Sequence, residues 1–156
     1  MTAIRIEGLQ KFYGPVRALD GLSLTVEPGA VFGFLGPNGA GKTTTIRILT
    51  GLAHATAGRA WVAGAEITAD GGEVARRIGH LPEEPAFYPW MTPREFLDHV
   101  GRVFGLAPGE RAARVKELVE LFGLAEVSKR RIGGFSRGMR QRLGLAQALV
   151  NRPDVL

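Results

Sequence analysis

Ile4 and Ile6 flank Arg5, and Leu22, Leu24 and Val26 alternate with Ser23 and Thr25. An apolar–polar period of two predicts half-buried strands at the start of the chain. Glu27-Pro28-Gly29 is turn chemistry, with proline fixing φ and glycine allowing it to be positive. Residues 30–35, AVFGFL, are apolar at both parities, which predicts a strand buried on both faces of a sheet. The period then lengthens. In KTTTIRILTGL, residues 42–52, Ile46, Leu49 and Leu52 recur at helical spacing. GRAWVAG (58–64) predicts a short strand closed by a glycine turn, and RRIGHLP (76–82) another, stopped by Pro82.

Beyond residue 90 the pattern is helical. Thr92-Pro93-Arg94-Glu95 combines a capping threonine, a proline at the first helical position and the glutamate of a capping box. Phe96, Val100 and Val103 follow as one face. A second helix is predicted over residues 110–122, with Val115, Leu118, Val119 and Phe122 as its stripe and Gly123 as its stop. A third starts near Ser136, with Met139, Leu143, Ala146 and Val150 in register. The order is a β-rich start, an α/β middle and a helical segment over 91–134, without repeats or low-complexity tracts.

Composition narrows the class. The 156 residues suffice for one domain with a core, and the lack of cysteine excludes disulfides and a cysteine-built zinc site. No window reaches the ~18 apolar residues of a membrane span, and MTAIRIEGLQ has no h-region, so a cytoplasmic setting is expected. The net charge of +5 is nearly all arginine, lysine occurring only at 11, 42, 116 and 129. Such a balance suits an anionic ligand, or simply a solvated surface.

One stretch specifies the anion. GPNGAGKTTT, residues 36–45, lies between the predicted strand and helix and satisfies G-x-x-x-x-G-K-[ST] at Gly36, Gly41, Lys42 and Thr43. Gly36, Pro37, Asn38, Gly39, Ala40 and Gly41 form a loop whose glycines let successive N–H groups point at phosphate oxygens. The following helix adds its N-terminal dipole. Lys42 brings a charge to the outer phosphates, Thr43 a hydroxyl for Mg²⁺, and Thr44 a donor to the innermost phosphate.

Three further stretches narrow the family. KFYG (11–14) offers an aromatic, Tyr13, that could stack on a base or be an ordinary strand-end tyrosine. IGHLPEEPAFYPWMTPREFL joins the middle to the first helix, and GGFSRGMRQRLGLAQALVNRPDVL closes the chain. In this order the sequence resembles the nucleotide-binding domain of ABC (ATP-binding cassette) transporters from Ile4 onward. The resemblance implies an α/β fold, a P-loop NTPase sheet flanked by helices, with an N-terminal antiparallel β subdomain and an α-helical signature subdomain. It divides the chain into a β subdomain and P-loop core (1–90), a helical subdomain (91–134) and a signature helix with the start of the Walker B strand (135–156).

The resemblance makes Tyr13 the adenine-stacking aromatic and residues 36–43 the Walker A loop. The Q-loop position falls on Glu83, which with Thr43 would serve the Mg²⁺ of ATP. The signature motif, usually LSGGQ, falls on Phe135-Ser136-Arg137-Gly138-Met139. Ser136 would cap a helix facing the γ-phosphate held by a second ATPase domain, Gly138 would let the backbone come close, and Arg137 would lend a cation. Glu83 replaces the usual glutamine and Arg137 the first signature glycine; both departures look like the branch serving bacterial exporters. The Walker B aspartate, catalytic glutamate and switch histidine would lie beyond Leu156, so the whole protein is expected to hydrolyse ATP, and this stretch alone to bind nucleotide weakly or to fold poorly.

The resemblance also implies transmembrane permease subunits as partners, a peripheral place on the cytoplasmic face of the membrane, and no nucleic acid. A soluble ABC-type ATPase acting on ribosomes or DNA is the alternative. A GTPase would need a base-reading Asn-Lys-x-Asp, which is absent. Phe87, Tyr88 and Trp90 read equally as core or as a patch for a membrane subunit. Arg130, Arg131, Arg140 and Arg142 read as a wet face, and His54, His80 and His99 lack metal spacing.

Overall fold

The two alternating segments at the start pair as an antiparallel hairpin, β1 (Ile4–Tyr13) with β2 (Val16–Val26), in a computed structural model that describes residues 2–68 and 72–156. β3 (Ala57–Val62) joins the free edge of β1, and β4 (Ala65–Glu66) follows after a tight turn, giving the sheet order β2-β1-β3-β4. Ile6, Leu9, Leu19 and Ala60 are buried in one cluster, a register shift between Ile6 and Leu9 bringing two positions of opposite parity to the same face. Helix α1 (Lys42–Leu49) covers that face through Ile48. A short helix, α2 (Gly72–Arg77), carries Val74 onto Val62 and Ala65.

The chain divides into two compact units, residues 1–78 with Val155, and residues 79–154 with Leu156. The second unit is helical. α3 (Pro93–Val103), α4 (Pro108–Leu121) and α5 (Arg137–Ala148) surround Phe96, Leu97, Val115, Leu118, Val119, Leu143 and Ala146. The capping box at Thr92 and Glu95 forms in full. Arg114 is buried in this unit, donating to Glu117 and to the carbonyl of Leu149 at the C-cap of α5. No helix among the described residues is long and apolar enough to cross a membrane.

Several expectations from periodicity are corrected. Residues 30–35 form no strand: Val31 is 104% and Leu35 91% exposed. A strand apolar on both faces needs ladder partners on its edges, and none pairs with this segment among the described residues. Residues 76–82 are not a strand either. Arg76 and Arg77 end α2, and Ile78 makes a single parallel bridge to Val155. In α1 the buried positions are Thr45 and Ile48, whereas Ile46 and Leu52 face out. On α3, Val103 is 73% exposed, and burial falls on Pro93, Phe96, Leu97 and Gly101. α4 begins at Pro108, two residues early, because a proline at the first position needs no N–H partner.

Candidate functional site: the glycine loop and its surroundings

The loop of residues 36–41 leads directly into α1, whose N-cap is Gly41. Gly39 (φ 82°) and Gly41 (φ 84°) both occupy the left-handed region, which turns the chain tightly at either side of Ala40. Gly41 has a second reason to be glycine: a Cβ there would lie 2.5 Å from Leu19 Cδ2 and 2.6 Å from the Ala18 carbonyl oxygen. The loop thus rests against β2 at the far end of the hairpin. Thr45, buried one turn into α1, donates its hydroxyl and its amide to the Gly41 carbonyl at 3.0 and 2.8 Å. The sequence pattern does not reveal this tie, since Thr45 is one threonine in a row of three.

α3 is capped by Thr92 and Glu95, and α5 by the Ser136 hydroxyl accepting from the Met139 amide. The N-terminus of α1, like that of α4 at Ala107, lacks a side-chain cap, but unlike α4 it has no acid in its first turn. Its opening amides, on Lys42, Thr43 and Thr44, are therefore directed to whatever sits over the loop. Lys42 folds back across that loop, its ammonium donating to the carbonyls of Gly36 (2.6 Å) and Pro37 (2.7 Å). Thr43 is exposed. Uncapped amides, an ammonium and an exposed hydroxyl form a donor set shaped for phosphate with a hard cation beside it.

Tyr13 ends β1, paired with Val16 and 46% exposed. Its partner across the ring is Lys11, whose Nζ sits 4.8 Å from the ring centroid.

The Glu83 segment belongs to the second unit, where it runs along α5. A Cβ on Gly79 would collide with the Ala148 carbonyl, and one on Gly144 would meet Leu81 at 2.5 Å, so small residues allow the close approach. The main chain of Glu83 accepts from Gln141 Nε2 at 3.3 Å. Glu83, Glu84, Pro85, Arg137, Arg140 and Gln141 consequently line one cleft of about 450 Å³. Glu83 and Arg137 are both exposed, and neither glutamate is ion-paired among the described residues. A Cβ on Gly138 would find no atom within 4 Å, so nothing within the described chain requires a glycine there.

Arg130, Arg131, Arg140 and Arg142 are all exposed, as expected of a wet face, and three of them also tie down main chain. Arg130 donates to Gly134, Arg140 to Phe135 and Arg142 to Gly123. Arg130 and Arg140 hold the end of the 3-10 segment Ile132–Gly134 and the approach to α5, and Arg142 ties α5 to the turn after α4. Of the aromatic trio, Phe87 packs edge-on against Phe96 at 5.2 Å, whereas Tyr88 and Trp90 are exposed and stack on each other at 5.3 Å.

A glycine loop entering a helix, resting on an antiparallel hairpin, with a helical unit carrying a serine-capped helix, defines a P-loop nucleotide-binding domain. The chain belongs to the ABC transporter family, whose model matches residues 19–156. Relatives include the bacitracin transport ATP-binding protein BcrA of Bacillus licheniformis, 41% identical over 155 residues, covering 99% of this chain and 50% of the relative. Another is the daunorubicin resistance ATP-binding protein DrrA2 of Streptomyces coeruleorubidus, 44% identical over 154 residues, covering 99% of this chain and 48% of the relative. Among solved structures, an ATP binding subunit of an ABC transporter superposes with a TM-score of 0.85 at 29% identity, over 97% of this chain and 63% of that one. The chain spans about half the length of the curated relatives it matches.

Proposed function

We propose that this chain is the nucleotide-gripping part of an ATP-binding subunit that drives export of a small molecule through transmembrane permease subunits. The observation that carries the reading is the uncapped N-terminus of α1, with Lys42 bent over a loop of left-handed glycines. The amides at the start of α1 hold the phosphates, and Lys42 exchanges its two carbonyl partners for the outer phosphate oxygens. Such a charge-assisted bond is worth roughly 1.5–3 kcal/mol. Tyr13 offers its exposed ring to the adenine. Mg²⁺, when bound with ATP, neutralises charge on the outer phosphates. Thr43, exposed at the start of α1, is the oxygen donor assigned to it.

Ser136, Arg137 and Gly138 are assigned to the ATP of a second ATPase domain. Support for Arg137 is its exposure beside Arg140 at the N-terminal end of α5, where an anion is favoured. Gly138, beside which a Cβ would meet open space, is left available for a close approach by a partner. In this reading 1–90, 91–134 and 135–156 serve as phosphate-and-base grip, permease-facing helices and partner-facing signature. The exposed Tyr88 and Trp90 adjoin a groove of about 370 Å³, lined by Trp90 with Met91, Glu95, Asp98, His99 and Arg102 and suited to a helix from a permease. Hydrolysis belongs to the whole protein, and its place is the cytoplasmic face of the membrane. Export rather than import is supported by relatives named for drug resistance and antibiotic transport. Titration calorimetry tests the grip: Lys42→Ala should weaken ATP binding about tenfold, or 1.4 kcal/mol, and unchanged affinity refutes it.

A further inference from the structure

Four cations of the first unit lie over aromatic rings: Arg5 and Arg59 over Trp61, Arg17 over Phe12, and Lys11 over Tyr13. Three of them have carboxylate partners, Arg5 with Glu7, Arg17 with Asp20 and Arg59 with Glu66. Lys11 has none among the described residues, although it is half-buried. Its position is set by pairing. Lys11 is the register partner of Leu19, and Leu19 is the side chain on which Gly41 rests. Register partners project to one face of a sheet, so the ammonium and the glycine loop share a side. Tyr13, two residues on, returns to the same side and meets Lys11.

We propose that Lys11 is a positioning residue for the nucleotide base, acting through Tyr13; this rests on the reading of Tyr13 and the glycine loop given above. The ammonium backs one face of the ring, leaving the other face for the base. Two effects follow. A cation behind the ring is attracted to its quadrupole and draws electron density away from the exposed face, which favours stacking by an electron-rich purine. It also holds the tyrosine in one orientation before the ligand arrives, so less side-chain freedom is lost on binding.

The test compares two ligands on the full chain by titration calorimetry: ATP, which has a base, and inorganic tripolyphosphate, which does not. Lys11→Met keeps the aliphatic stem and should weaken ATP about two- to fivefold while leaving tripolyphosphate unchanged. Lys11→Arg should keep ATP within about twofold, because a guanidinium also backs a ring. Tyr13→Leu should weaken ATP as well, and adding Lys11→Met to it should cost nothing more. The proposal is overturned if Lys11→Met leaves ATP affinity intact, if both ligands lose equally, or if the double variant is additive. Loss of tripolyphosphate binding in Lys42→Ala alongside an intact Lys11→Met upholds the glycine-loop reading and removes only this one. A wild-type chain that binds neither ligand removes both.

Discussion

At Gly41 two demands meet in one residue. Its φ of 84° disfavours any side chain, and the space its Cβ would enter holds a carbonyl oxygen that cannot rotate away. Gly41→Ala should therefore lower stability by about 2 kcal/mol or more, read as a fall in Tm, and should weaken tripolyphosphate binding by reshaping the N-terminus of α1. An alanine variant with unchanged Tm would show that the hairpin does not press on the loop. The G-x-x-x-x-G-K-[ST] spacing announced this glycine, but its contact with Ala18 and Leu19 was not legible, since nothing local tells residue 41 what residue 19 is doing. Lys11 is the same case. Its two-residue spacing from Tyr13 was visible, yet spacing shows a shared face only once the strand is known to be one.

Helices α3 and α4 show how much an element owes to charges at its ends. Asp98 accepts from Arg111 and from Arg102, the latter at 2.9 Å, and the Arg111 hydrogen bond is the main cause of a carboxyl held below the usual aspartate range. Glu95 is held low as well, by the Thr92 amide first and the Thr92 hydroxyl second. A carboxylate with a depressed folded pKa contributes stability above its unfolded value and loses it as pH falls through the folded value. Urea denaturation followed by helical signal should then show stability declining below about pH 4. Asp98→Asn should be less stable at neutral pH by about 1–2 kcal/mol and should show a shallower decline in acid. Equal slopes for the two proteins would mean that Asp98 is not the group being titrated. The capping box and the proline start of α3 were readable because a helix start is decided by four neighbouring residues, whereas the proline start of α4 at Pro108 was missed by two residues. The 30–35 segment was misread because apolarity at both parities reports what the side chains prefer and not which strand will pair.

For the molecule as a whole, the chain forms two units with separate cores. The glycine loop, α1, Tyr13 and Lys11 lie in the first, and the Glu83 segment, the signature residues and the aromatic groove in the second. Hydrogen exchange on the chain with tripolyphosphate should slow the amides of 36–45, while α3 and α4 exchange as before. Protection confined to the helical unit would place the anion elsewhere.

The order of motifs identified the family without any coordinates, and the glycine-loop spacing raised the expectation of a phosphate grip, because a turn, a cap and a helix dipole are built from adjacent residues and their chemistry travels with them. Folding in three dimensions decided the rest. It left most of residues 30–35 exposed, laid residues 79–85 along α5 through Gly144, left open space beside Gly138, and set the Lys11 ammonium against Tyr13. Each of these depends on which distant segment arrives next to a residue, and pairing and burial are properties of both neighbours, not of the string that contains one.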